Sequence, residues 1–192
     1  MSTPVLHVLA GPNGAGKSTF VREVLQPTTH LPFINADVIA AEHWPGRESE
    51  NAYAASAAAT AERDEALSIS RSFITETVFS HVSKVDLVKQ AVSAGYLVSL
   101  HVILVPEDVA VLRVAYRVAE GGHSVPEAKV RERYRRLWTL VAQARDLADR
   151  AMFYDNSVGR TPFRPVASYE RGRLIGRPVW PTWTPAALSS RL

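Results

Sequence analysis

A three-layer α/β/α fold, with helices on both faces of a mostly parallel sheet, is what this 192-residue chain predicts. Three observations carry the expectation. Short apolar runs of strand type alternate with longer helical stretches, the pattern of parallel strands joined by crossover helices. The longest apolar run, residues 96–105, reads as a central strand. Finally, Gly11-Pro12-Asn13-Gly14-Ala15-Gly16-Lys17-Ser18 is a full match to the phosphate-binding loop GxxxxGK(S/T), with a strand-like run before it and a helix after it.

The elements follow in order. Residues 5–10 form the first strand and residues 19–25 start the first helix, whose positive end faces the loop. Phe33-Ile34-Asn35 is a second short strand ending at Ala36-Asp37. Residues 51–70 are Ala-rich and free of Gly and Pro, so they read as one helix. Residues 72–76 form a third strand, and residues 82–94 a helix stopped by Gly95. After the central strand, Pro106 opens a helix where its missing N–H costs nothing, and Gly121-Gly122 ends it. Ser124 and Glu127 have capping-box spacing for a long helix running to about residue 150. Residues 152–154 are a fifth strand, and residues 163–175, with Gly172 at the turn, a small hairpin. From residue 177 the chain is rich in Pro and Trp and reads as an irregular arm, with Trp180 and Trp183 packing it down. The expected division is a domain over residues 1–176, with a lid at about 106–150, and an arm over 177–192.

Composition sets the class. Hydrophobic residues at 46% and charged residues at 21% are ordinary globular values, enough for a sizeable core. With no cysteine there is no disulfide, thiolate zinc site or cysteine nucleophile. No apolar stretch reaches membrane-spanning length and the first residues carry no export signal, so no membrane association and a cytoplasmic location are expected. The net charge of +3 is unevenly spread. Residues 1–110 hold 7 basic and 12 acidic groups, while residues 111–192 hold 15 basic and 7 acidic, all but one of the 15 being arginine. Arginine suits forked phosphate contacts, so the imbalance suggests a cleft for a polyanion.

The loop predicts ATP bound with Mg²⁺. Backbone N–H groups of Gly11 to Thr19 would cradle phosphate, Lys17 would reach the outer phosphates, and the Ser18 hydroxyl would ligate the metal. Asp37, Glu76 and Asp155 end strands, where ligands of such sheets sit, and are candidates for acids near the γ-phosphate. Transfer to an alcohol needs a carboxylate to take the hydroxyl proton, for which Asp37 is the candidate, with capping of the next helix as its alternative. Glu76, flanked by Thr75 and Thr77, suits a polar acceptor. Arg113 and Arg117 share one helix face, and Lys129, Arg133 and Arg136 share another. Joined at Gly121-Gly122-His123, the two helices could close as a lid and exclude water. Asn156 lies where such folds often hold adenine; His101 reads as a core residue.

Together these segments resemble the zeta toxin family of P-loop kinases, in particular its compact stand-alone members. The carriers are residues 11–19, Phe33 to Asp37, Phe73-Ile74-Thr75-Glu76-Thr77, Arg113 through Arg117 to Arg133-Tyr134, and Tyr154-Asp155-Asn156-Ser157. Ser80-His81 and Glu132 depart from the pattern. The resemblance implies a P-loop NTPase fold of the nucleoside-monophosphate-kinase-like type, with a five-stranded mostly parallel sheet and a helical lid. It implies Asp37 as general base, Glu76 as acceptor-binding acid, and Arg117 and Arg133 as lid arginines. Well-studied members phosphorylate UDP-N-acetylglucosamine with ATP and Mg²⁺. The expected function is therefore an ATP-dependent kinase acting on a hydroxyl of a small phosphorylated metabolite or sugar nucleotide, with an antitoxin protein as a candidate partner. The alternatives are a polynucleotide 5′-hydroxyl kinase or nucleic-acid-dependent ATPase, and a regulatory ATP-binding module. Nucleic acid is disfavoured because the arginines are not interleaved with aromatics and the first half is acidic.

Overall fold

The structure is a computed structural model and describes residues 3–120 and 125–189. Seven strands form one sheet in the order β2-β3-β1-β4-β5-β6-β7. β1 (Val5–Ala10), β2 (Phe33–Ile34), β3 (Phe73–Thr77), β4 (Leu97–Leu104) and β5 (Arg150–Asp155) are the five parallel strands expected. The hairpin of β6 (Arg164–Glu170) and β7 (Arg173–Ile175) adds antiparallel to the β5 edge. It therefore enlarges the sheet to seven strands.

β1 and β4 are the middle of the sheet, in register from Val5 opposite Leu97 to Ala10 opposite Val102. Toward their C-terminal ends their side chains are buried on both faces, which is why they read as largely apolar runs. Leu6, Leu9, Leu100 and Ile103 from these strands meet Phe20, Val88, Leu137 and Val141 from helices in one core.

The helices are α1 (Lys17–Phe20), α2 (Gln26–Thr29), α3 (Ala36–His43), α4 (Ala52–Ser68), α5 (Ser83–Ser93), α6 (Glu107–Ala119), α7 (Glu127–Leu147) and the short α8 (Ala186–Ser189). Between α1 and α2 the helix continues as a π-helical stretch, Val21–Leu25. Pro27 just beyond it has no N–H to donate to the turn before it, and the Thr28 and Thr29 hydroxyls donate to the carbonyls of Val24 and Leu25. On α4 the buried residues are Ala55, Ala59 and Ala66, small side chains on one face that let the helix lie close to its neighbours. α7 starts at Glu127 with Pro126 as its N-cap; Ser124, the expected cap, lies outside the described residues. It stops at Leu147, because residue 150 already begins β5.

The C-terminal arm is held down by Trp180, edge-on to Phe153 at 5.3 Å, and by the Val179 N–H donating to the Val166 carbonyl. Trp183 packs on the same core, and Leu188 of α8 is buried in it too. Among the described residues no helix is long and apolar enough to cross a membrane.

His101 is a core residue, as its place in β4 predicts. Its Nε2 lies 3.0 Å from Nδ1 of His7, and the two rings stack 5.3 Å apart. Burial, helped by neighbouring His7, pushes His101 down to about 3. The native state then holds a neutral imidazole while the unfolded chain takes up a proton below about pH 6.5. Native stability is retained above that pH and is lost progressively as pH falls toward 3. His101→Gln should flatten this acid limb, read as the urea midpoint between pH 7.5 and pH 4.5. A variant as acid-sensitive as the wild type would clear His101 of the effect.

Candidate active site

The strand–loop–helix that follows β1 builds the site. Gly14 has φ +73° and a side chain there would collide with the Ala110 carbonyl of α6 at 2.7 Å; Gly16 has φ +93° and would collide with the Asn156 amide at 2.7 Å. Only glycine combines that backbone with such close approach. The loop is braced from outside. Asn156, just past β5, donates from Nδ2 to the Ala15 carbonyl at 2.8 Å and accepts from the Phe163 N–H at 3.4 Å. Arg113 donates to the Asn156 carbonyl at 2.9 Å and to the Gly14 carbonyl at 3.5 Å. Asn156 is thus buried with both ends of its amide engaged. The sequence suggests an adenine contact there; the structure makes its side chain a strut of the loop.

A cleft of about 540 Å³ opens over the loop. Lys17 is buried beneath it, donating to the Pro12 carbonyl at 3.1 Å and lying 3.6 Å from Glu76 Oε1. Burial lowers the Lys17 ammonium below its usual range, and the Glu76 carboxylate opposes that shift. The other Glu76 oxygen accepts from the Ser18 hydroxyl at 2.7 Å. β3 pairs directly with β1, which is what brings Glu76 to the loop. The acid expected at the acceptor therefore also touches the phosphate-binding lysine and serine. Asn13 lines the cleft and keeps a buried amide oxygen with no partner among the described residues, an open hydrogen-bonding position in the wall.

Asp37 lines the same cleft, and its charge also favours the Lys17 ammonium. Its capping alternative is answered by Asn35, whose side-chain oxygen accepts from the N–H groups of Asp37 (2.7 Å) and Val38 (3.3 Å). With Asn35 as the cap, the exposed Asp37 carboxylate is left to the cleft. Thr19, Thr77, Arg113, Arg117 and Arg133 line it as well.

Other expectations change. Asp155 is drawn away from the loop: it accepts from Arg164 at 2.9 Å and from the Ser157 N–H at 2.9 Å. Burial alone would raise its pKa, but those contacts outweigh it and the carboxyl sits below its usual range. Lys129 and Arg136 do not join Arg133 in the cleft; Arg136 pairs with Glu132 on the exposed surface. Within the expected lid span of 106–150, Leu137, Trp138, Val141 and Ala144 of α7 are buried, while Arg113 and Arg117 of α6 and Arg133 of α7 line the cleft. Gly121, Gly122 and His123 lie outside the described residues. Much of the basic half serves the fold instead: Arg131, Arg136, Arg150, Arg164 and Arg171 pair with acids and Arg145 lies over the Tyr169 ring.

Two cations that the sequence analysis missed lie next door. A second cavity of about 320 Å³ shares Glu76, Thr77 and Arg133 with the first and adds Arg63 from α4 and Lys84 from α5. Neither residue sits in a motif, and helix-borne charges of this kind ordinarily face solvent.

The site defines a P-loop kinase fold, and the comparisons agree. A family model described as an AAA domain matches residues 6–141, and the chain belongs to that family. A chain of the AvrRxo1-ORF1:-ORF2 complex is similar at TM-score 0.72 and 17% identity, over 90% of this chain and 60% of that one. The present chain thus spans less than two thirds of that structure; the same complex has been crystallised with ATP. The PezAT toxin–antitoxin system of Streptococcus pneumoniae is similar at TM-score 0.62 and 14% identity, over 86% of this chain and 72% of that one. Shikimate kinase from Acinetobacter baumannii, in complex with shikimate, is similar at TM-score 0.51 and 19% identity, over 84% and 88%. No curated protein matches the chain.

Asn156→Ala should cost about 1–3 kcal/mol of stability, because it leaves the Ala15 carbonyl and the Phe163 N–H without partners. It should also weaken ATP binding by loosening the loop, measurable by titration calorimetry. Wild-type affinity and midpoint in that variant would show the brace to be dispensable.

Proposed function

We propose that the protein is an ATP-dependent kinase that transfers the γ-phosphate to a hydroxyl of a small phosphorylated metabolite. One observation carries the reading: Lys17, Ser18, Glu76, Asp37 and three arginines converge on a single cleft over the phosphate-binding loop. A binding module would not need a non-capping carboxylate exposed in that cleft; a phosphotransferase does.

In this reading the N–H groups of Gly11 to Thr19 and the Lys17 ammonium hold the phosphates of ATP. A hydroxyl and a carboxylate in contact, Ser18 and Glu76, are the hard oxygen donors Mg²⁺ takes. Among the described residues no group of three acids or histidines could cage a metal, which suits an ion that keeps waters and phosphate oxygens. Held by Ser18 and through Glu76, Mg²⁺ would supply charge neutralisation on the triphosphate. Asp37 takes the proton of the acceptor hydroxyl as its oxygen bonds to the γ-phosphorus, and the bond from that phosphorus to the bridging oxygen breaks, releasing ADP. Arg117 and Arg133 offset charge on the transferring group, and Arg113 anchors the loop beneath it.

The acceptor follows less directly. The zeta toxin resemblance favours a sugar nucleotide such as UDP-N-acetylglucosamine. Likeness to the PezAT toxin–antitoxin system and to the AvrRxo1-ORF1:-ORF2 complex supports an antitoxin-type protein partner and a role as the toxin of such a pair.

Asp37→Asn keeps the shape of the side chain but cannot accept a proton, so transfer of labelled γ-phosphate should fall by about 10² or more while ATP affinity stays close to wild type. Undiminished transfer would remove Asp37 as the base. Lys17→Ala should abolish turnover in a protein that still folds, because it deletes the ammonium beneath the phosphates. Turnover that survives in the folded variant would contradict the loop assignment.

A further inference from the structure

The smaller cavity is lined by three cations from three separate helices. Arg63 comes from α4, Lys84 from α5 and Arg133 from α7. All three are partly buried. Arg63 donates to the Thr60 hydroxyl at 2.8 Å, and the nearby carboxylates of Asp64 and Glu62 attract it without outweighing its burial. Glu62 also pairs with Arg71 at 3.8 Å, Asp64 is exposed, and Glu76 is held by Lys17 and Ser18.

This arrangement is unfavourable as it stands. Burial lowers both Arg63 and Lys84 below their usual ranges, and the guanidinium of Arg63 depresses Lys84 further. Like charges brought together in a partly desolvated cavity repel unless an anion lies between them. The remaining wall offers the small hydroxyl residues Ser56 and Ser80, with apolar Ala59 and Leu87 behind. Because Ala36, Glu76, Thr77, Val78 and Arg133 belong to both cavities, a molecule seated in the smaller one reaches the larger beside Asp37.

We propose that this cavity is the acceptor's oxyanion subsite, in which Arg63, Lys84 and Arg133 grip the phosphate ester or carboxylate of a compact molecule while its hydroxyl points to Asp37. The proposal rests on the kinase reading for the second half of that statement, and on the cation cluster alone for the first. Its 320 Å³ is near the low end of small-molecule sites, about 300–1,000 Å³. That size matches a sugar phosphate or a hydroxy acid held whole; the base and ribose of a sugar nucleotide would have to extend into the larger cleft.

The test has two arms. With a non-hydrolysable ATP analogue and Mg²⁺ filling the loop, inorganic phosphate is titrated calorimetrically into wild-type protein, the double variant R63Q/K84M, and R47Q, an exposed control. One phosphate should bind per chain, weakened about tenfold or more in the double variant and unchanged in R47Q, with analogue affinity retained throughout. If the double variant does not fold, K84M alone should still weaken phosphate binding. No phosphate bound beyond the nucleotide site, or equal binding in wild type and folded variants, overturns the subsite.

In the second arm, labelled γ-phosphate transfer is compared for glucose 6-phosphate, glycerol 3-phosphate, gluconate, glucose and UDP-N-acetylglucosamine. A charged compact acceptor should be used in preference to glucose, with its KM raised about tenfold in the variants. Preference for the phosphate esters or for gluconate identifies which oxyanion is read. UDP-N-acetylglucosamine as best acceptor, with a KM indifferent to R63Q/K84M, overturns the proposal. Phosphate binding that needs Arg63 and Lys84, without transfer to any acceptor, would sink the kinase reading and leave the anion site standing.

Discussion

Burying the ammonium of Lys17 is the constraint around which the rest of the site is arranged. A cation taken out of water needs a counter-charge at close range, and here Glu76 supplies it from the end of the neighbouring strand. That requirement reaches back into topology. Glu76 can arrive only if β3 inserts between β2 and β1, which in turn obliges the chain to cross over from β2 through α3 and α4 before it returns. The same crossover sets Asp37 at the first turn of α3, in the lining of the same cleft. Phosphate-binding cation, its counter-charge and the second acid are therefore products of one strand order.

The loop itself is rigid for a different reason. Its glycines allow the curl, but the curl is held by groups distant in sequence: Arg113 from α6 and Asn156 from the far side of β5. A loop braced this way presents its N–H groups without reorganising when an anion arrives, which is the condition under which fixed dipoles act most strongly. Phe79, buried and in the left-handed region at φ +65°, plays a similar part beyond β3. Its N–H donates to the Thr77 hydroxyl, and this fixes the short segment, Val78 and Ser80 included, that walls both cavities.

How much of this is legible in the sequence depends on range. The phosphate-binding loop, the parallel strands, the helix stop at Gly95 and the helix start at Pro106 are local and can be read directly. The sequence also points to Asp37 and Glu76, since both end apolar runs. It cannot tell a strut from a ligand contact at Asn156, because the Ala15 carbonyl it braces is 141 residues away. Nor does it reveal Asn35 as the cap that releases Asp37, although Asn two residues before an acid at a strand-to-helix turn is a signal of that kind. Arg63 and Lys84 are the hardest case. Each looks like a solvated helix charge, and only the meeting of α4 and α5 beside β3 gives the pair a common target.

The arginine excess of the second half shows why a charge count misleads. Arg131 bridges Glu107, Asp108 and Glu127 and so ties the start of α7 to the start of α6. Arg145 is buried over Tyr169, and Arg164 holds Asp155 at the end of β5. These side chains join helices and strands of the fold, and their charge is met by acids or aromatic faces close at hand. A surface that tracks a nucleic-acid backbone needs successive cations with no acid beside them. Other arginines, such as Arg135, Arg160, Arg173 and Arg177, are exposed, while Arg133, Arg63 and Lys84 are partly buried around one small cavity. Three such charges round so small a space suit one compact anion better than an extended one, and the proposed acceptor class rests on that local grouping rather than on the total charge.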